Sequence, residues 1–115
     1  MSIEIKANGF IVGSFSSKKA TIAQNSSATD TMKAGTLLYL GTDGKMSVTK
    51  TDYPICALLS DIDADTLKAG DVTTSVVYNA KLDKKALEEV NDGLTIDDLF
   101  IWNCLKNGLD IVEYN

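Results

Sequence analysis

Polar and apolar residues are arranged in short blocks along this chain. "SIEIK" (2–6) alternates, placing Ile3 and Ile5 on one face, as a short strand does. The Asn8-Gly9 pair is a turn signal and precedes the apolar "FIV" (10–12). Residues 13–31 then carry only scattered apolar side chains among Ser, Thr, Ala and Lys, a composition suited to an extended arm rather than a core. From residue 34 the texture changes. "AGTLLYL" (34–40) reads as a strand, "GTDGK" (41–45) as a tight turn and "MSVT" as the return strand. "ICALL" follows Pro54 and is apolar without alternation, which suits a strand buried on both faces. "TTSVVYN" (73–79) is rich in β-branched residues and reads as another strand.

Two short helices are predicted next. Asp83 is a candidate N-cap for "KKALEEV", with Leu82 and Leu87 at staple spacing. The second helix is expected to start from Thr95, with Asp98 closing a capping box and Leu94 and Leu99 as the staple. It would run to about Asn107 and stop at Gly108. "LDIVEY" supplies a last strand. The fold class expected is α+β, mainly β. It comprises a small β-barrel-like body over 32–115, two short helices near the C-terminus and an extended N-terminal arm over 1–31.

Composition narrows the function. The chain has 115 residues, enough for one domain with a small core. Its net charge is -5, with no histidine and no arginine. That balance argues against nucleic acid and against anionic membrane surfaces as partners. No segment is long and apolar enough to span a bilayer as a helix, and the first residues lack the pattern of a signal peptide. Synthesis in the cytoplasm is expected. Cys56 and Cys104 are read as reduced, buried thiols.

Little catalytic chemistry is on offer. Without histidine the usual general base at neutral pH is missing, and no nucleophile elbow, phosphate loop or dinucleotide glycine pattern occurs. No catalytic residue and no cofactor are assigned. Asp61, Asp63 and Asp65 resemble the first half of a calcium loop, but Thr66 stands where the sharp turn needs Gly and Val72 where a bidentate Glu is needed. The expectation is that Asp61 and Asp63 bond to nearby backbone N–H groups and that no metal is held. On the 95–107 helix, Ile96, Leu99, Phe100 and Cys104 form one stripe, while Ile101, Trp102 and Leu105 fall largely off it. Two readings stand: a helix sunk in the core, or one whose second face, Ile101, Trp102 and Leu105, is a subunit interface.

Four blocks in order, "AGTLLYLGTDGKMSV", "ICALLSDIDA", "VVYNAKLDKKAL" and "NGLDIVEY", resemble those of the lambda-type head decoration proteins of tailed bacteriophages. The resemblance covers about residues 33–115 and rests on order and spacing. The chain departs from it at Cys56 and Ala57, and at Asn79, where those proteins often have Gly. The resemblance implies a capsid cement: a homotrimer on the outer surface of the phage head, bridging major capsid subunits against internal DNA pressure. In that setting the arm, through Ile3, Ile5, Phe10, Ile11 and Phe15, would lie on the major capsid protein and add a strand to its sheet. The other reading has the arm packed on its own domain or trimer. The alternatives in function are a stand-alone β-barrel module for carbohydrate or another ligand, and the capsid anchor of a small head fibre.

Overall fold

The structure is a computed structural model and describes residues 6–7 and 9–113. In chain order the elements are β1 (Lys6–Ala7), β2 (Ile11–Val12), β3 (Ser16–Ile22), β4 (Leu37–Leu40), β5 (Met46–Ser47), β6 (Cys56–Leu58), α1 (Ala64–Ala69), β7 (Val72–Tyr78), β8 (Ala80–Asp83), α2 (Lys84–Val90), α3 (Asp98–Lys106) and β9 (Leu109–Val112). The fold is α+β and mainly β. Five strands close a barrel in the order β3-β5-β4-β6-β7, and the remaining four form a second sheet, β1-β2-β8-β9.

The wall formed by β4, β6 and β7 is apolar on both sides, and this organises the molecule. Side chains alternate across a strand. Leu38, Cys56, Leu58 and Val76 face the barrel interior, where they meet Ile22, Ile62 and Leu67. Their neighbours Leu37, Ala57 and Val77 face outward into a second core. That core is filled from the second sheet and the helices by Phe10, Ile11, Leu82, Leu87, Phe100, Cys104 and Leu109. Burial on both faces is why "ICALL" shows no alternation: all three residues of β6 are buried.

The turn at 41–45 forms as the glycines suggest. Gly41 N–H donates to the Lys45 carbonyl at 2.9 Å, and Gly44, at φ +83°, closes the turn. Asn79 has φ +46°, the left-handed region that asparagine tolerates better than most residues. It sits against Gly108, where an added Cβ would come within 2.8 Å of Asn79 Oδ1. The junction of β7 with β8 can therefore lie directly on the junction of α3 with β9.

The N-terminal region differs from the expected arm. Far from hanging off the body, residues 16–22 pair antiparallel with β7 along their whole length, from Ser16↔Tyr78 to Ile22↔Val72. The division at residue 31 thus falls beyond a barrel strand. The sequence looked core-poor there because β3 contributes only Ile22 to the buried interior, while its middle is exposed. Phe10 and Ile11 are also placed differently from the expectation of capsid anchors. They are buried in the outer core, β2 pairs with β8, and Asp83 N–H donates to the Phe10 carbonyl at 2.9 Å. Phe15, at 37% exposure, stays at the surface, and Ile3 and Ile5 lie outside the described residues.

Candidate functional site

Of the three aspartates after β6, two are structural ligands of the backbone and the third faces a lysine. Asp61 Oδ1 accepts from Ala34 N–H at 2.7 Å, tying the strand exit to the approach to β4. Asp63 is the N-cap of α1 and accepts from Thr66 N–H at 2.7 Å. That bond holds the Asp63 carboxyl below the usual carboxylate range. Asp65 lies in the first turn and faces Lys68 at 3.5 Å. This six-residue helix was not foreseen, because the alternating aspartates masked an N-cap followed by a helical segment. Among the described residues no group of three His, Cys, Asp or Glu side chains is placed to hold a metal ion.

The two thiols lie in different cores, Cys56 inside the barrel and Cys104 on the buried face of α3. Burial pushes each up to about 12, which leaves them protonated and poorly nucleophilic near neutral pH.

Helix α3 starts two residues later than its sequence suggested. Asp97, and not Thr95, is the cap: its carboxylate accepts from Phe100 N–H at 2.9 Å. The buried stripe is largely the expected one, since Ile96, Phe100 and Cys104 are all buried, and the differences are at Leu99 and Ile101. Phe100 and Cys104 are buried, and Ile101 packs against the same core, so Ile101 is removed from the proposed interface. Leu99, expected in the core, is exposed. The staple positions move with the cap, from Leu94 and Leu99 to Ile96 and Ile101. The Tyr53 and Phe100 rings meet edge-on at 5.8 Å. The helix ends at Asn107, whose Nδ2 donates to the Pro54 carbonyl at 3.0 Å, and Gly108 at φ +90° turns the chain into β9. Fixed at both ends and along one face, α3 is a firm platform.

Its outward side carries Leu99 and Trp102, each 65% exposed, and Leu105, 42% exposed. At spacings of three residues they lie along one side of the helix. Asp98 and Lys106, near its two ends, supply one charge of each sign. Leu105 also borders a cleft of about 500 Å³ whose lining includes Val12, Gly13, Lys81 and Asp110. A rigid apolar strip with an exposed tryptophan is suited to docking on another surface, and tryptophan often anchors such contacts. The sequence placed Trp102 and Leu105 off the buried stripe, and both are exposed. Leu99 was placed on that stripe as a staple residue, a role that passes to Ile101 once Asp97 is the cap. No protein family, curated protein or solved structure matches the chain.

Proposed function

We propose that the protein is a structural component of a tailed-phage virion that decorates the outer surface of the head and cements neighbouring major capsid subunits. The observation that carries this reading is the exposed strip of Leu99, Trp102 and Leu105 on an otherwise well-seated helix. It gives a small β-rich body a ready surface for protein contact. The four sequence blocks that resemble decoration proteins support the same reading. They fall on β4 and β5, on β6 running into α1, on β7, β8 and the start of α2, and on β9, and these elements surround the two cores. The thiols, both buried and raised in pKa, suit a structural role better than a catalytic one. The partners on this reading are the major capsid protein and two further copies of the chain.

The test is direct. Purified protein mixed with emptied, expanded phage heads should sediment with them at a fixed ratio of three copies per three-fold site and raise the temperature at which they rupture. Heads that neither bind the protein nor gain heat resistance would refute the reading.

A further inference from the structure

The barrel is closed at one seam by very little. Strand β3 pairs with β7 over seven residues, but its other edge meets β5 only at Ile22↔Met46, reinforced by Ala23 N–H donating to the Met46 carbonyl at 2.8 Å. Among the described residues, 16–21 have no strand partner on that side. Beside this edge lies a cleft of about 440 Å³. One flank is residues 18–21, the other is Gly44 and Met46, and Ile55, Cys56 and Val76 contribute to its lining. The pleat decides which side chains point where. Lys18 pairs with Val76, so Lys18, Ala20 and Ile22 share the inward face, while Ser17, Lys19 and Thr21 face outward. Neither Lys18 nor Lys19 is in an ion pair among the described residues, and both are exposed.

We propose that the free edge of β3 is a strand-acceptor site for an extended acidic polypeptide segment. The segment adds to residues 16–21 through backbone hydrogen bonds. It turns apolar side chains inward over Met46, Ile55, Cys56 and Val76, and carboxylates outward to Lys19. The lysines also select the partner. Pairing β3 with a second β3 over its full length, parallel or antiparallel, sets Lys19 against Lys19, which disfavours self-association. The occupant is therefore a different strand carrying the opposite charge. The proposal rests on the decoration reading only for who donates that strand, which would be the major capsid protein.

The probe is a hexapeptide of alternating valine and glutamate, with alternating valine and lysine as control. Amide exchange at residues 17, 19 and 21, whose N–H groups point to the same edge as that of Ala23 and away from β7, should slow about tenfold by NMR when the glutamate peptide is present at about ten times its dissociation constant. The lysine peptide should leave those amides unchanged, and Lys19→Glu should reverse the preference. Lys19 is exposed, so the variant should keep the fold. Unchanged exchange at millimolar glutamate peptide, or equal effects of both peptides, would overturn the proposal. Head binding separates it from the decoration reading. Protein that binds heads while residues 17, 19 and 21 exchange as freely as before overturns the acceptor site alone. Protein that takes up the peptide but ignores heads overturns the decoration reading alone.

Discussion

Asn91 shows how much one polar side chain can hold. Its Oδ1 accepts from Leu37 N–H at 2.9 Å, and its Nδ2 donates to the carbonyls of Gly35 at 3.0 Å and Leu87 at 2.9 Å. One residue thus ends α2 and fixes the start of β4. In the sequence it was only the first letter of a turn, because its partners Leu37 and Gly35 lie more than fifty positions away. Asn91→Ala leaves a partly buried donor and acceptor without partners and should cost about 1–3 kcal/mol, read from urea unfolding. Asp97→Ala removes the α3 cap and should cost about 1 kcal/mol. Asp63 contributes a pH dependence. Its folded pKa is lowered by the Thr66 bond, so its contribution is present above the ordinary value of 3.8 and fades as pH falls below it. The Asp63→Asn variant should lose that part of the acid slope in a midpoint-against-pH series.

At the scale of elements, strands with a double-sided or strongly β-branched pattern were legible: β4 and β6 lie within the stretches expected for them, and β7 begins one residue before its own. The staple of Leu82 and Leu87 was legible too, since both are fully buried in the outer core. Strand β3 was not, because an edge with one buried residue has the composition of a loop. Helix α3 was found with most of its buried stripe, Ile96, Phe100 and Cys104, but with Leu99 and Ile101 on the wrong sides, because two capping patterns overlap at Thr95 and Asp97 and local sequence cannot choose between them. Its exposed strip changes what Trp102→Ala should do. Trp102 is 65% exposed, so the folded monomer should keep its stability within about 0.5 kcal/mol. Binding to heads, or assembly on them, should weaken by about 2 kcal/mol or more if Trp102 anchors the contact. Sedimentation with heads, set beside thermal unfolding of the free protein, separates the two effects.

The molecule as a whole depends on its N-terminal residues more than their composition suggests. Phe10 fills the outer core, and an alanine at Gly35 would press on its ring at 3.3 Å. Phe10→Ala should cost about 3–5 kcal/mol. Deleting residues 1–15 removes β2 with it, so that truncation should unfold the body, a loss visible by circular dichroism, rather than merely detach an arm. The thiols give a global alkaline signature. Each folded pKa is raised from 9.0 to about 12, so stability is fully present below pH 9 and declines as pH climbs toward 12. Both thiols should resist maleimide until the protein unfolds. The long reach of the β3–β7 pairing also bears on how the protein is born. Ser16 leaves the ribosome well before its mate Tyr78, and Ile11 well before the Leu82 that pairs with it. In that interval the apolar "FIV" waits unsheltered, with Lys18 and Lys19 just behind it as gatekeepers against clumping. Swapping both lysines for valine should spare the finished fold but divert nascent chains into inclusion bodies.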